Sequence, residues 1–470
     1  MSSTPFLALR RKSMEMSTIE EQLKDCWEHP ITKDYLVVLR QLIAHRSIFA
    51  QQLGLEETAQ FLKEIFSAAG AQVIVDQSYA APFVLATFKS PRPDAKTVIF
   101  YQHYDTVPAD SDQKWSSDPF TLTEREGHLY ARGVDDDKGH IIARLTALVK
   151  YLSQAQTLPV TIVFMMEGAE ESASVDLEKY LKKYARNLQE ADLLIWEQGI
   201  RNEQDQLELT GGNKGILTFD MTVESAKLDI HSKYGGVIDS ATWYLLEAIA
   251  SLRDRNGRLL VPAIYEQVQE PTKRELDLIE IYAIEQLDDL KKLYGLELPM
   301  LQSERRDFLK TYYYQPSIGI QGIQSGYQGQ GVKTIIPSQA SAKMEVRLVP
   351  GLDPKIVFEQ IQTHLLDKGF DKVNVTYTLG EKSYRSDLSA PAIQQVIDVA
   401  KPLYPKGLSL LPTSAGTGPM HTVFEALGVP IVAFGLGHAN SRDHAGDENI
   451  AIADYCRHIV LIEELLKSYE

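Results

Sequence analysis

Continuously apolar strands that alternate with helical patterns limit the folds open to residues 56–196. The runs at 97–101, 160–166 and 193–196 are apolar almost throughout instead of alternating with polar residues. Strands of this kind, separated by helices, are typical of a sheet that helices cover on both faces. We therefore predict an α/β fold with a mostly parallel sheet. Its other predicted elements here are strands at 72–76 and 83–88 and helices at 56–69 and 139–152.

The pattern of apolar residues changes after residue 212 and returns after residue 385. In between, apolar and polar residues alternate, as in antiparallel strands with one solvated face. Strands are predicted at 216–223, 317–323, 340–348 and 372–378, and helices at 240–252 and 355–368. We predict that 213–385 is an inserted α+β sandwich, which divides the first domain into 17–212 and 386–470.

Three further segments complete this division of the chain. The last part should contain a helix at 392–404, a strand at 429–434 and a helix at 449–469. The charged stretch 267–296 is predicted to be a helical excursion from the insert, with its charges in solvent. Residues 1–16 are predicted to be a disordered leader.

Composition excludes several classes of protein. The 470 residues exceed what one core usually serves, which predicts two domains. The formal net charge of −16, without a stripe dense in lysine and arginine, argues against a nucleic-acid partner. No apolar run is long enough to span a membrane. The two cysteines, Cys26 and Cys456, are too few for a disulfide framework, and we interpret them as core residues of a cytoplasmic protein.

Histidine and acidic residues occur at three places beside these strands and helices. His103-Tyr104-Asp105 follows the first apolar run, three aspartates at 135–137 precede the helix at 139–152, and Glu170-Glu171 follows the second run. In such sheets, sites lie at the carboxyl ends of strands. His103 and Asp105 point to the same side of an extended backbone, so the imidazole can bind a metal while Asp105 accepts its other ring N–H.

The acidic residues each have a simpler interpretation as caps or surface groups. Three consecutive aspartates exceed what helix capping requires, which favours a carboxylate that bridges two cations. Glu170 and Glu171 diverge as chain neighbours, so one can bind metal while the other carries a proton. Glu197 ends the strand at 193–196 and is a candidate ligand, with a surface acid as an equal alternative.

A centre of two divalent metal ions is the hypothesis that uses these residues together. Its predicted ligands are His103, Asp136, Glu171, Glu197 and His444. Their carboxylates balance much of the charge of two dications, and Glu170 is left over as a base. Mixed nitrogen and oxygen ligands favour Zn²⁺ and also admit Mn²⁺ or Co²⁺.

The order of the motifs resembles the carnosinase and aminoacylase family of co-catalytic metallopeptidases, in its cytosolic dipeptidase-like branch. The resemblance extends from about Tyr35 to the C-terminus. Further matching segments lie at 103–108, 115–120 and 130–133. The resemblance implies that Asp136 bridges the metals and precedes a cis peptide bond, that Glu170 is the general base, and that His444 is the last ligand. We interpret His438, six residues earlier, as a loop or core histidine.

The insert also resembles the dipeptidase branch, in which it forms a lid and dimerisation domain. The segment at 229–232 is similar to one whose histidine reaches the partner subunit's site. This implies that His231 stabilises the oxyanion of the reaction and that the protein is a homodimer. Two strand segments imply that Thr334 and Arg347 hold the substrate's carboxylate. Thr417 stands where dipeptidases have a small hydroxyl residue near the substrate.

We therefore predict a metallopeptidase that hydrolyses the amide bond of dipeptides or other short peptides. Two metals activate the water molecule, and Glu170 is the general base. An N-acyl-amino-acid deacylase or desuccinylase with the same centre is the nearest alternative, and a non-catalytic binding or scaffold protein is a remote one. Two departures from the family concern substrate detail: Lys214 replaces an arginine, and Gly446-Asp447 follows the last ligand in place of the usual pair.

Overall fold

The computed structural model describes residues 18–109, 113–155, 157–283 and 287–470, and the leader predicted at 1–16 lies outside them. The α-helices are α1 (Ile19–Glu28), α2 (Pro30–Ala44), α3 (Leu55–Ala68), α4 (Lys138–Ala155), α5 (Leu177–Leu188), α6 (Ala241–Leu252), α7 (Pro262–Tyr265), α8 (Lys273–Tyr282), α9 (Leu287–Tyr294), α10 (Arg305–Tyr314), α11 (Pro354–Asp367), α12 (Pro391–Ala400), α13 (Met420–Leu427) and α14 (Ile452–Lys467). Among these described helices, none is both long and apolar enough to cross a membrane.

The strands form five sheets in the described part of the chain. They are β1 (Gln72–Asp76), β2 (Phe83–Phe88), β3 (Thr97–His103), β4 (Thr123–Arg125), β5 (His128–Tyr130), β6 (Thr161–Glu167), β7 (Leu193–Trp196), β8 (Ile200–Arg201), β9 (Leu207–Thr210), β10 (Gly212–Asn213), β11 (Gly215–Glu224), β12 (Ile230–His231), β13 (Ser317–Ser325), β14 (Ile335–Ile336), β15 (Gln339–Leu348), β16 (Asn374–Glu381), β17 (Tyr384–Arg385), β18 (Leu408–Leu411), β19 (Ile431–Ala433), β20 (Gly437–His438) and β21 (Asn449–Ala451).

The large sheet is mixed and mostly parallel, which confirms the predicted fold class. Its strand order is β1-β2-β6-β3-β7-β19-β9-β8-β20, and β18 also pairs with β9. The pairs β3/β6, β3/β7 and β7/β19 at its centre are parallel, whereas β1/β2 and β2/β6 are antiparallel. Parallel pairing brings the carboxyl ends of β3, β6 and β7 to one edge of the sheet.

Helices cover both faces of the large sheet. Alternate residues of its strands point to opposite sides, and both sides are apolar. Phe100 of β3 and Phe164 of β6 belong to the apolar core beneath α2, α4 and α14. Their neighbours Tyr101 and Met165 belong to a second core beneath α5 and α13. Burial on both sides is the reason that these strands are continuously apolar.

Two N-terminal helices, for which the sequence analysis gives no prediction, pack against this core. α1 begins with a capping box, in which the Thr18 hydroxyl accepts the Glu21 N–H and the Glu21 carboxylate accepts the Thr18 N–H. α2 begins at Pro30, whose fixed φ suits the first turn of a helix. Its residues Leu39 and Leu42 are fully buried on the side of α4.

The insert has its own four-stranded antiparallel sheet, in the order β13-β15-β11-β16. β11 alternates buried and half-buried residues, and Leu217, Phe219 and Met221 face a core that α6 and α11 complete. The two chain crossings between the sheets lie side by side, because β10 pairs with β17 and Gly212 lies opposite Arg385. The charged stretch 267–296 contains α8 and α9, as the predicted helical excursion requires.

Some boundaries differ from the predictions. β3 extends to His103 and β6 to Glu167, so both strands carry polar residues onto the edge of the sheet. Residues 449–451, predicted to begin the last helix, instead form β21, whose backbone pairs with β5, and α14 begins at Ile452. The predicted helix 392–404 ends at Ala400 and continues as a short 3-10 helix.

Candidate metal centre and active site

Three parallel strands deliver polar side chains to one edge of the large sheet. β3 ends at His103, opposite Glu167 at the end of β6, and Glu197 follows the last residue of β7. Glu170 and Glu171 lie in the 3-10 turn that follows β6. These polar side chains therefore lie at the carboxyl ends of the strands, where parallel sheets form their sites.

Asp136 lies between two histidines from distant parts of the chain. Its Oδ1 is 2.8 Å from His103 Nε2, and its Oδ2 is 3.0 Å from His444 Nε2. His444 Nε2 is also 3.0 Å from Glu171 Oε2. Each oxygen of Asp136 therefore faces a different histidine, which suits a bridging carboxylate. His438 lies apart in β20, half-buried, with its Nε2 3.0 Å from Asn449 Oδ1.

The structure brings together all five residues that the sequence analysis predicted as ligands. Two groups have ligand atoms within 4.8 Å of one another: His103, Asp137 and Glu197, and Asp136, Glu171 and His444. Asp137 is an addition that the sequence analysis did not select, although it belongs to the same run of aspartates. The peptide bond between Asp136 and Asp137 is cis, as the family resemblance implies.

Buried oxygens in these groups fit divalent cations. Glu171 Oε1 and Glu197 Oε2 have no hydrogen-bond partner in the described part of the chain. Trp196 Nε1 donates to the other oxygen of Glu197 at 3.1 Å and leaves Oε2 facing His103 at 3.9 Å. Buried carboxylate oxygens are costly unless a donor or a cation satisfies them. A donor set of two imidazoles and four carboxylates suits two divalent cations.

The pKa values of these groups reflect the crowding of acids around two histidines. Hydrogen bonds to Asp136 and Glu171 raise the pKa of His444 to about 10. Burial raises the pKa of Glu170 to about 8. Burial and the charge of Glu170 raise the pKa of Glu197 well above its usual range. Burial and neighbouring acids thus disfavour the charged form of these carboxylates, and bound cations would favour it.

Asp105 organises the turn that carries Glu170 and Glu171. Its carboxylate accepts the backbone N–H of Glu170 at 3.1 Å and that of Glu171 at 3.2 Å. His103 Nδ1 lies 3.0 Å from the backbone carbonyl oxygen of Asp105 and 3.4 Å from its carboxylate. The sequence predicts that the Asp105 carboxylate accepts the ring N–H of His103, but the backbone carbonyl oxygen of Asp105 lies closer to that nitrogen. The carboxylate instead orients the two glutamates.

Glu448, which the sequence analysis did not select, holds the loop of the three aspartates. Its Oε1 accepts the N–H groups of Asp135 and Asp136. Its Oε2 accepts the N–H of Gly133 and a hydrogen bond of 2.7 Å from Arg132 Nη1. The sequence signal for Glu448 is its place four residues after the last predicted ligand.

α4 contributes further supporting side chains. His140 Nδ1 lies 2.9 Å from Asp137 Oδ1. The fully buried Arg144 donates from Nη2 to the carbonyl oxygens of Trp196 at 2.7 Å and Glu197 at 3.0 Å. In the sequence His140 and Arg144 only interrupt an apolar helix, and their contacts with the site become evident from the fold.

The predicted substrate-binding residues are partly brought together. Arg347 of β15 donates from Nη1 to Thr417 Oγ1 at 2.8 Å. Thr417 lines a cavity of about 280 Å³ that Glu197 also lines. His231 is exposed in β12, and Thr334 is exposed directly before β14, the strand that pairs with β12. In the described part of the chain, neither of these two side chains contacts a predicted metal ligand.

The fold and the residues at the sheet edge define a metallopeptidase. The chain belongs to peptidase family M20/M25/M40, whose model matches residues 99–468. Family membership implies divalent metal ions, and the two groups of ligands at the sheet edge can hold them.

Named relatives share most of this chain's length. The chain is 29% identical to the Beta-Ala-His dipeptidase of Rattus norvegicus over 397 residues, which are 81% of this chain and 79% of the relative. It is 28% identical to the Cys-Gly metallodipeptidase dug1 of Schizosaccharomyces pombe over 390 residues, 81% of each protein. A similar solved structure is that of the M20 family metallo-carboxypeptidase Sso-CP2 from Sulfolobus solfataricus. It has a TM-score of 0.84 and 33% identity and covers 93% of this chain and 99% of that chain.

Proposed function

We propose that this protein hydrolyses the amide bond of dipeptides and other short peptides with the help of two divalent cations, Zn²⁺ or else Mn²⁺ or Co²⁺. The observation that carries the proposal is the pair of ligand groups that meet at Asp136, with Glu170 beside them. When bound, the cations supply Lewis acidity to the scissile carbonyl group. The similar proteins from rat and fission yeast are named as dipeptidases, which favours the same substrate class.

Glu170 is the proposed general base. Asp105 accepts its backbone N–H, and the predicted ligand Glu171 follows it in the same turn, so Glu170 lies beside the ligands. Burial raises the pKa of Glu170, which makes its carboxylate a stronger base, and in this role it would take a proton from water and return it to the leaving amine. The Glu170→Ala variant should keep its metal content, measured by mass spectrometry, and lose turnover. Retained turnover would refute this role.

Arg347, Thr334 and Thr417 are proposed to hold the C-terminal carboxylate of the substrate. The guanidinium of Arg347 can bind a carboxylate in a bidentate manner, and its contact with Thr417 places a hydroxyl group beside it. Thr417 and the predicted ligand Glu197 line one cavity, so recognition of a free carboxylate there favours short substrates. Dipeptides with an amidated C-terminus should therefore be poor substrates, and equal hydrolysis of both forms would contradict the assignment.

N-acyl amino acids carry the same carboxylate and test the choice of substrate. Dipeptides, N-acetyl amino acids and N-succinyl amino acids should be compared on chelated protein to which zinc or manganese has been returned. Cleavage of dipeptides would support the proposal. Cleavage of the acylated amino acids alone would make the protein a deacylase or desuccinylase with the same centre. A protein that binds no metal would instead be a non-catalytic binding protein.

Two copies of the chain are proposed to pair through the insert as a homodimer. β13 is an edge strand of the insert's sheet, and it exposes Ile320 and Ile323. Trp243 of α6 is also exposed. An apolar edge strand is a ready template for another strand, and a twofold pair uses the same edge from both copies. His231 is exposed and apart from the metal ligands of its own chain, so we assign it to the partner's site.

Mixing two inactive variants tests this exchange. In a mixed dimer of His231→Ala and Glu170→Ala chains, the site with an intact Glu170 receives His231 of the partner subunit. Activity should therefore reappear on mixing. Native mass spectrometry would show that mixed dimers have formed. No recovery in their presence would contradict a role for His231 across the interface.

A cytoplasmic location is proposed because Cys26 and Cys456 are both free and buried, as in proteins of reducing compartments. The catalytic domain is proposed to comprise 17–212 and 386–470, and the lid and dimerisation domain 213–385. The four-stranded sheet and the core beneath it, which lie within 213–385, support this division.

A further inference from the structure

An open apolar cavity of about 690 Å³ lies between residues 296–312 of the insert and the loop that carries Thr417. Its apolar wall comes mainly from the segment that joins α9 to α10 and from α10 itself. This wall consists of Leu296, Leu298, Met300, Leu301, Phe308 and Tyr312. We call this cavity the leucine pocket. Leu298 and Leu301 are 83% and 52% exposed, and a concave apolar surface of this kind is typical of a ligand site.

The leucine pocket adjoins the proposed carboxylate site. Arg347, which donates to Thr417, is part of its lining. Gly416 lines both this pocket and the smaller cavity that Glu197 and Thr417 line. A molecule bound at Arg347 therefore has the metal ligands on one side and the apolar wall on the other.

Lys214 adds a second positive charge to the same lining. It is only 4% exposed, and its Nζ donates to the carbonyl oxygens of Gln315 at 2.7 Å and Thr311 at 3.4 Å. Within the described residues Lys214 forms no ion pair, and burial followed by the charge of Arg347 lowers its pKa to about 7. A buried cation without an anion is costly, and a bound carboxylate would supply the missing charge.

We propose that the leucine pocket receives the side chain of the substrate's C-terminal residue and that Lys214 assists Arg347 in holding that residue's carboxylate. Carboxylate and side chain share one α carbon, so a carboxylate fixed at Arg347 places the side chain in the adjoining pocket. The preferred substrates are short peptides that end in a large apolar residue such as leucine or phenylalanine. The inference rests on the proposed function through the role given to Arg347.

A series of dipeptides with one N-terminal residue tests the preference. Alanyl-leucine and alanyl-phenylalanine should have kcat/KM values about tenfold or more above that of alanyl-glycine, as burial of a large apolar side chain predicts. The double variant Leu298→Ser, Leu301→Ser should lose most of this advantage. Leu366→Ser, a matched change at a leucine 60% exposed on α11 and outside the pocket lining, should retain it. Equal values in the wild type, or a preference that survives the double variant, would overturn the proposal.

The charge of Lys214 is tested separately. Lys214→Met should raise KM about tenfold for every dipeptide with a free carboxylate, as loss of a charge-assisted contact predicts. The relative preference for leucine over glycine should remain in Lys214→Met. The variant Lys214→Arg, which keeps the charge, should have a KM near that of the wild type. An unchanged KM in Lys214→Met would remove this residue from the proposal.

Calorimetric binding of free amino acids separates this inference from the proposed function. If no peptide is cleaved, the proposed function fails. The pocket would still be supported if leucine binds more tightly than glycine and the double variant abolishes the difference. Equal binding of leucine and glycine to the wild type would overturn the pocket even if dipeptides are hydrolysed.

Discussion

Replacing Gly139 with alanine should displace the loop that carries the predicted bridging aspartate. Gly139 lies in the first turn of α4, directly against the backbone of that loop. A Cβ atom at this position would lie 1.9 Å from the carbonyl oxygen of Val134 and 3.0 Å from its carbonyl carbon, where Cβ contacts under 3.0 Å are essentially never seen. Because both atoms belong to the backbone, no rotation of a side chain can relieve the clash.

The size of the effect follows from the distance to be gained. The helix and the loop must separate by about 1 Å, and overpacking of this kind costs roughly 1–3 kcal/mol. Alanine recovers up to about 1 kcal/mol through its better helix propensity. We expect a net loss of about 1–2 kcal/mol, or roughly 1–3 °C in Tm for a chain of this size. A shift of about 1 Å at Asp136 should also lower kcat/KM about 100-fold.

Thermal melting of the metal-loaded enzyme and steady-state kinetics on a dipeptide measure both effects. Gly236→Ala is the matched control for stability, because a Cβ there meets no atom within 4 Å. Its Tm should stay within about 1 °C of the wild type, as expected for a surface change. A Gly139→Ala enzyme with unchanged Tm and kcat/KM would refute the argument from the close backbone contact.

Three other predictions concern charge. KM for dipeptides should rise as the pH increases through about 7, because Lys214, whose pKa burial and Arg347 lower to about 7, is charged only below that pH. Lys214→Arg should flatten this rise, and identical profiles would contradict the role of Lys214. Chelation should lower Tm, and zinc or manganese should restore it, since cations satisfy the buried carboxylates; an unchanged Tm would count against the metal centre. Asp105→Ala should lower kcat about 10–100-fold by releasing the N–H groups of Glu170 and Glu171, and a normal kcat would disprove this positioning.

The central strands could be predicted because each carries its own signal. Phe83–Phe88 and Leu193–Trp196 have the predicted bounds, since strands buried on both faces are continuously apolar. Leu207–Thr210 and Leu408–Leu411 differ from them. A polar residue, Glu208 or Ser409, interrupts the leucines of each, and the two strands pair in parallel across a separation of about 200 residues, which no local pattern reveals.

The residues of the site also divide into those with a local sequence signal and those whose contacts depend on the fold. Four of the five predicted ligands belong to a recognisable motif, and Glu197 directly follows an apolar strand. His444 lies beside Asp136 across 308 residues of sequence. Glu448 and Arg144 are different, because their contacts are to backbone N–H and carbonyl groups of other segments. Which buried polar groups bind one another depends on the tertiary fold, so the sequence does not show the partners of these two residues, although Glu448 lies only four residues after His444.

The position of the insert has a consequence for synthesis of the chain. β7 has β3 on one side and β19 on the other, and β19 is made only after the whole insert has left the ribosome. Until then one edge of an entirely apolar strand is unpaired, while the insert can already complete its own sheet. Nascent chains that end within the insert should therefore be the aggregation-prone species, and the last 40 residues should govern the yield of folded protein.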